Sequence, residues 1–345
     1  MQHHPPAPVS SSQDTRWPLH SVMLQEAEKA RFKPKWGIQL LIFLALFAIT
    51  QIAITIPAIG SVMLQLFLPL SQFKDLGMLI NSITPEVVNA LFTRVLLYTL
   101  FFTVITIVLV IVYCVDIEKR PLRSMGIVRG HIPRRYLSGY VVGVLLVACG
   151  QLLRILFGLD RFNGLNTNAS AVLVVLFFLG FIIQAASEEL LARGYFMVSL
   201  TNRMTIPSCV LISSAVFSLL HVLNVGVNIL SLVNIFLLAV LFAVHVLLYD
   251  NLWGACAMHA GWNFAALNLF GAQEAGASSN ITVFSISPVQ GDPFGRMALI
   301  RELPVFLVLL IAIGVLLLIY LLRKAPSAAK ALTADAQRNT SASEG

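Results

Sequence analysis

The chain has 345 residues, of which 58% are hydrophobic and only 11% charged, with a mean hydropathy of +0.85. Soluble domains carry roughly 25% charged residues, so this composition excludes an ordinary soluble domain. The apolar runs are about 20 residues long, the length of a membrane-spanning helix and not of a barrel strand. We therefore predict an all-α polytopic membrane protein with about eight transmembrane helices. The net charge of +7 indicates a topology signal and attraction to the lipid bilayer, and not nucleic-acid binding.

The first half of the chain divides into a polar tail and three predicted helices. Residues 1–35 lack the apolar core of a signal peptide and predict a disordered cytosolic tail. Residues 36–169 predict three transmembrane helices and a basic cytosolic loop. The three helices are predicted at about 37–59, 88–115 and 137–157.

The second half predicts five more helices. Residues 170–270 form a core of four helices, and residues 271–302 form an external loop rich in Gly, Ser and Asn. Residues 303–325 contain the eighth helix, and residues 326–345 predict a disordered tail. The four core helices are predicted at about 171–200, 206–223, 227–248 and 252–270.

Basic residues predict how the chain is oriented. The loop 116–136 is rich in Lys and Arg, whereas the loops at 60–86 and 158–169 are poor in them. The positive-inside rule therefore predicts that both termini and the basic loop are cytosolic. We expect an integral multi-pass protein of a bacterial inner membrane.

One charged motif follows directly on the apolar run that begins near residue 171. In SEELLARGYF, Glu189 and Arg193 are four residues apart and can pair on one helical face. Glu188 lies about 100° away around the helix and has no such partner. A buried, unpaired carboxylate is a candidate general base. The alternative is that the helix ends here and its charges lie among the lipid head groups.

Two further polar pairs occur at helical spacing in later apolar runs. Phe217 and His221 are four residues apart, and so are His259 and Asn263. Their predicted depths place both pairs near that of Glu188, which predicts one buried polar site. The alternative is that these groups are hydrogen-bonded packing contacts between helices. His245 stands alone and is interpreted as a packing histidine.

These residue types suit hydrolysis without a covalent intermediate. A carboxylate with a histidine can activate water, and a second histidine with an asparagine can donate hydrogen bonds to an oxyanion. Glu188, His221 and His259 could instead hold Zn²⁺, although no HExxH motif is present. No serine or cysteine lies in a recognisable nucleophile motif.

The three motifs together resemble a known family. EExxxR (Glu188, Glu189, Arg193), FxxxH (Phe217, His221) and HxxxN (His259, Asn263) occur in this order within about residues 170–270. This pattern is similar to the CPBP intramembrane proteases, the CAAX-prenyl-protease or Abi type, which include the Ras-converting enzyme. Ala192 departs from the pattern, because the family often has an aromatic residue there.

The resemblance implies a function and a role for each residue. Glu188 and His221 would activate the water, His259 and Asn263 would stabilise the oxyanion, and Glu189 and Arg193 would brace the helix. The implied enzyme is an intramembrane endopeptidase that cleaves membrane-associated, including prenylated, proteins or peptides, with or without Zn²⁺. The alternatives are a non-catalytic membrane scaffold or bacteriocin self-immunity protein, and a transporter or proton relay.

Overall fold

The computed structural model describes residues 21–67, 84–224, 226–271, 279–289 and 296–343, which are largely helical. In chain order the α-helices of this part are α1 (Val22–Glu28), α2 (Trp36–Phe67), α3 (Pro85–Phe102), α4 (Val104–Val112), α5 (Ile132–Leu156), α6 (Ala171–Glu189), α7 (Val198–Leu200), α8 (Ile206–Leu219), α9 (Ile229–Tyr249), α10 (Trp253–Phe264), α11 (Arg296–Ile300) and α12 (Leu303–Ser343). π-Helical turns follow α4 (Tyr113–Ile117), α6 (Leu190–Met197) and α10 (Ala265–Leu269), and two 3₁₀ turns lie at Leu122–Met125 and Ser279–Ile281.

Six helical segments in this part of the chain are long and apolar enough to cross a membrane. They are Trp36–Leu64, Pro85–Ile117, Ile132–Leu156, Ala171–Leu200, Ile229–Tyr249 and Met297–Arg323. The prediction of an all-α polytopic membrane protein is confirmed, and the chain is an integral multi-pass protein.

The predicted count of eight spans is wrong for the fifth and seventh helices. α8 has 14 residues and α10 has 12. At about 1.5 Å per residue, both are shorter than the roughly 30 Å hydrocarbon layer. The prediction extended both helices because the residues that follow them, the turn at 220–223 and the π-helical turn with Phe270 at 265–270, are also mostly apolar.

Helices occur in the described parts of both segments that were predicted as disordered tails. α1 lies within the predicted tail 1–35, where Ser21 caps its N-terminus and the carboxylate of Asp250 accepts hydrogen bonds from the N–H groups of Val22 (2.8 Å) and Met23 (3.2 Å). A contact between residues this far apart leaves no local sequence signal. α12 runs to Ser343, through most of the predicted tail 326–345, where alanine favours the helix.

The predicted external loop 271–302 contains regular structure that the sequence analysis did not anticipate. β2 (Phe284–Pro288) pairs antiparallel with β1 (Asp160–Leu165), the segment that precedes α6. Asn268, in the π-helical turn after α10, donates a hydrogen bond to the carbonyl of Ile281 (2.8 Å), in the 3₁₀ turn that precedes β2. The strands are short and are separated by more than a hundred residues, so neither stands out in the sequence.

Glycines bring α5 and α10 into close contact. A Cβ atom at Gly139 would collide with the carbonyl oxygen of Gly254, and one at Gly143 would collide with that of Met258. Across the same contact, a Cβ at Gly261 would meet the carbonyl of Tyr140. Small residues allow membrane helices to approach backbone to backbone. This contact fixes the position of α10, the helix that carries the HxxxN motif.

A buried polar network supports the π-helical turn Leu190–Met197, whose residues are all buried. Arg120 forms a buried ion pair with Glu118 (2.9 Å) and donates to the carbonyl of Gly194 (3.3 Å). The hydroxyl of Tyr195 donates to Oε1 of Gln39 (2.7 Å) in α2. The basic loop and α2 are thereby fastened to the turn that bears Arg193.

Candidate active site

Glu189 and Arg193 form a fully buried ion pair at the start of the π-helical turn. Nη1 of Arg193 donates to Oε1 of Glu189 at 2.7 Å, and both side chains have 0% exposure. Nη2 of Arg193 donates to the carbonyl of Ala239 (3.1 Å), and the guanidinium lies 4.4 Å from the ring centroid of Phe217. Buried charges persist only when they are paired and hydrogen-bonded, and an aromatic face adds to that stabilisation.

His259 lies between the two adjacent glutamates. Its Nδ1 is 2.9 Å from Oε1 of Glu189, and its Nε2 is 3.7 Å from Oε2 of Glu188. An ionised carboxylate only accepts hydrogen bonds, so Nδ1 carries the proton towards Glu189. Nε2 then faces Glu188. The approach of Nε2 to Oε2 of Glu188 is favourable when a proton lies between these two atoms. The ring stacks on Phe242 at 5.1 Å between centroids.

The contact between Glu189 and His259 was missed by the sequence analysis, which gave Glu189 only the role of bracing the helix together with Arg193. Adjacent residues in a helix point about 100° apart, and from that geometry one glutamate of the pair was expected to face elsewhere. A histidine ring is long enough to reach both carboxylates from a neighbouring helix. Only the packing of α10 against α6 reveals this arrangement.

Glu188 is held by a glutamine that the sequence analysis also missed. Nε2 of Gln184 donates to Oε1 of Glu188, and Nδ2 of Asn263 donates to Oε1 of Gln184 at 3.0 Å. Asn263 thus reaches Glu188 through Gln184. The available signal was a polar residue in an apolar helix, one turn before Glu188.

His221 follows the end of α8 instead of lying inside a spanning helix, as was predicted. Its Nδ1 is 2.8 Å from the carbonyl oxygen of Phe217, one helical turn earlier. A carbonyl oxygen accepts only, so Nδ1 donates and Nε2 of the neutral ring is an acceptor. The rings of Phe217 and His221 lie 4.8 Å apart.

Glu188 and His221 line the same cavity, which has a volume of about 150 Å³. The other residues that line it are Phe43, Phe47, Gln51, Leu191, Ala192, Phe217, Leu220 and Asn224. The side chain of Glu188 is 32% exposed, and its Oε2 atom is buried without a hydrogen-bond partner in the described part of the structure. A buried carboxylate oxygen of this kind can accept a hydrogen bond from water or substrate.

The four predicted catalytic residues are therefore divided between two positions. Glu188 and His221 face the cavity, whereas neither His259 nor Asn263 is among the described residues that line it. His259 contacts Glu188 directly, and Asn263 does so through Gln184. In this conformation the predicted oxyanion donors hold the carboxylate instead of facing the cavity.

The residues named for a metal do not assemble into a ligand set in this structure. Within the described ranges, no three His, Cys, Asp or Glu side chains are grouped so that they could hold a metal ion. Nδ1 of His259 is engaged by Glu189, and Nδ1 of His221 is engaged by a backbone carbonyl. Nε2 of each ring is the nitrogen left available, as in histidines that bind metals, and the predicted use of Zn²⁺ stays a prediction.

Comparison with known proteins identifies the segment that carries these motifs. Residues 170–265 match the family described as Rce1-like, type II CAAX prenyl endopeptidase. The matched segment begins at Ser170, the N-cap of α6, and includes all three motifs. The resemblance stated from the motifs is confirmed for this part of the chain. Neither curated proteins nor solved structures gave a match.

Proposed function

We infer that this membrane protein is a protease, because residues 170–265 match the CAAX prenyl endopeptidases. We propose that it is an intramembrane endopeptidase in which Glu188 and His221 activate the attacking water. The observation that carries this proposal is the cavity shared by the two side chains. Each offers an acceptor: the carboxylate of Glu188 lines the cavity, and in the tautomer set by the Phe217 carbonyl, Nε2 of His221 accepts.

Two acceptors can hold both hydrogens of one water molecule and leave an oxygen lone pair free for attack. The cavity has room for at least one water, whose share of liquid volume is about 30 Å³. We propose that Glu188 takes the proton as the water oxygen bonds to the peptide carbonyl carbon. The same proton then passes to the amide nitrogen as the C–N bond breaks, which releases an amine and a carboxylic acid.

His259 and Asn263 support this chemistry by acting on Glu188. Nε2 of His259 lies close enough to Oε2 of Glu188 to share the transferred proton through a small movement. Asn263 and Gln184 orient the other oxygen of the same carboxylate. A direct role for His259 and Asn263 at the oxyanion would require both side chains to turn towards the cavity.

The mechanism that we propose contains no metal step. Its support is the arrangement of the side chains: among the described residues, no three His, Cys, Asp or Glu side chains are grouped to hold a metal ion. Glu188 with His221 then provides the acid–base groups that peptide hydrolysis requires.

The substrate that we propose is a membrane-associated peptide, with a prenylated, CAAX-type protein as the class that the family description suggests. The cavity borders α2, where Phe43 and Phe47 offer apolar contacts and Gln51 offers an amide. Such a surface suits an extended peptide with apolar side chains, because the amide can bond to its backbone.

Cleavage of a quenched-fluorescence farnesylated peptide by the purified full-length protein tests this proposal. General-base removal costs about 10²- to 10⁴-fold, so Glu188→Gln is expected to lower kcat at least 100-fold. Glu86→Gln, at an exposed glutamate at the N-terminus of α3, is the matched control and keeps the wild-type rate. Equal rates for wild type and Glu188→Gln would refute the proposal.

A further inference from the structure

A second and larger cavity lies between α5, α9 and α12, with Gly254 and Met258 of α10 also lining it. Its volume is about 620 Å³, within the range of about 300–1,000 Å³ typical of ligand pockets. Apolar side chains from all three helices form its walls, among them Val142, Leu241, Ala312 and Leu316. Glu188 and His221 are not among the residues that line it. The cavity is therefore separate from the candidate active site.

Basic residues lie at one end of this cavity, at the N-terminus of α5. His131, Arg134 and Arg135 all line it. Positive side chains at a helix N-terminus oppose the helix dipole, and the first turn of α5 contains no acidic residue to compensate them. Helix stability therefore does not account for these arginines. The positive-inside rule accounts for their charge, and a negatively charged ligand would in addition engage their guanidinium groups.

The arginines also have unused hydrogen-bonding capacity. Among the described residues, no ion pair joins Arg134 or Arg135 to a carboxylate. Nη1 of Arg135 is buried and lacks a hydrogen-bond partner there, as does Nδ1 of His245 deeper in the cavity. Buried donors left unpaired cost free energy, and a bound anion would remove that cost at Arg135.

The walls indicate that the ligand is also apolar. α5, α9 and α12 are all candidate membrane-spanning helices. Val142 and Val315 line the cavity and are 42% and 50% exposed, so the cavity is open on a face that a bilayer would cover. An acyl chain could enter from the bilayer along these residues while a charged head group remains at the arginines.

We propose that this cavity binds an anionic phospholipid, with its phosphate on Arg134 and Arg135 and an acyl chain along Val142 and Ala312. Arginine binds phosphate through two parallel hydrogen bonds, and basic pockets between membrane helices suit anionic head groups. The third basic side chain at this end of the cavity, His131, offers a further donor to the head group.

Native mass spectrometry of the full-length protein, titrated with phosphatidylglycerol or phosphatidylcholine, tests this site. We expect preferential retention of phosphatidylglycerol. The double variant Arg134→Gln/Arg135→Gln should weaken it roughly 30-fold, from the contribution of two basic groups at an anionic lipid. The matched control is Arg123→Gln/Arg129→Gln, which removes two exposed charges of the same loop outside the cavity and should keep wild-type binding.

Two further variants distinguish a site that binds a whole lipid from a site that binds only an anion. Ala312→Phe, which fills the apolar wall, should weaken phosphatidylglycerol at least fivefold, and Arg134→Lys/Arg135→Lys should retain most of the binding. If the glutamine double variant does not fold, these two variants decide the question. The proposal would be overturned if both glutamine double variants lost binding equally or if Ala312→Phe had no effect. It would also be overturned if the protein showed no preference for phosphatidylglycerol, or if equimolar inorganic phosphate displaced this lipid.

Discussion

Nδ1 of His259 lies 2.9 Å from Oε1 of Glu189, and the same carboxylate oxygen accepts from Nη1 of Arg193 at 2.7 Å. The first contact fixes the tautomer of His259 and aims its Nε2 at Glu188. The second places a charge pair with no solvent exposure between α6 and its neighbours. Glu189 therefore connects the buried ion pair with Arg193 to the orientation of His259 beside Glu188.

The substitution Glu189→Gln should destabilise the protein strongly. It leaves the guanidinium of Arg193 buried without its counter-charge, which typically costs about 3–5 kcal/mol. The free energy of unfolding, measured by denaturant titration in detergent micelles, checks this. Glu188→Gln is the control, because Glu188 is partly exposed and has no arginine partner in the described structure; its expected loss is below about 1 kcal/mol. Equal losses for the two variants would contradict the assignment.

The roles of the two ring nitrogens of His259 can be tested separately. Asparagine approximates the position of Nδ1, so His259→Asn should keep the hydrogen bond to Glu189 and most of the stability. It removes Nε2, and kcat should fall about 100-fold with little change in KM, because proton sharing with Glu188 is lost. Steady-state kinetics on the farnesylated peptide check this. Full activity of His259→Asn would show that the Nε2–Glu188 approach has no catalytic role.

Asn263 is predicted to act through Gln184. Gln184→Ala removes the donor to Glu188 and should lower kcat about tenfold, an intermediate effect for a positioning residue. Asn263→Ala should lower it less, and should add nothing further in the Gln184→Ala background, because the contact that transmits its effect is gone. A double-mutant cycle on kcat measures this coupling. Additive effects would mean that Asn263 acts on the reaction independently of Gln184, as a direct oxyanion donor would.

The contact between α5 and α10 should not tolerate even one methyl group. Gly143→Ala places a Cβ against the carbonyl of Met258 in the next helix, so the helices must separate. Overpacking of this kind costs typically about 1–3 kcal/mol, and activity should fall because α10 carries His259. Gly314→Ala is the control, since a Cβ there meets nothing within 4 Å. A Gly143→Ala variant with wild-type stability and activity would contradict the role of this contact.

The sequence was informative where the signal is local. The long apolar runs predict the membrane fold, and the four-residue spacing of Glu189 and Arg193 predicts their ion pair, because helix geometry alone determines both. The lengths of α8 and α10 could not be predicted in this way, since apolar turns after each helix have the same composition as the helix. His221 consequently lies just beyond the end of α8 and not inside the helix that was predicted.

The remaining features depend on contacts between distant segments. The approach of His259 to both glutamates requires the glycine-mediated packing of α5 on α10, and the path from Asn263 to Glu188 requires Gln184 to lie between two helices. The capping of α1 by Asp250 joins residues more than 200 positions apart. None of these contacts joins residues whose separation in the sequence would indicate that they meet.

The most direct test of the central claim is the cleavage rate of the wild-type protein before and after exhaustive dialysis against a zinc chelator. Glu188 and His221 activate water without a metal in our account, so the rate should be unchanged within a factor of about two, while Glu188→Gln stays at least 100-fold slower in both conditions. A wild-type rate that disappears with the chelator and returns when Zn²⁺ is added would contradict the account.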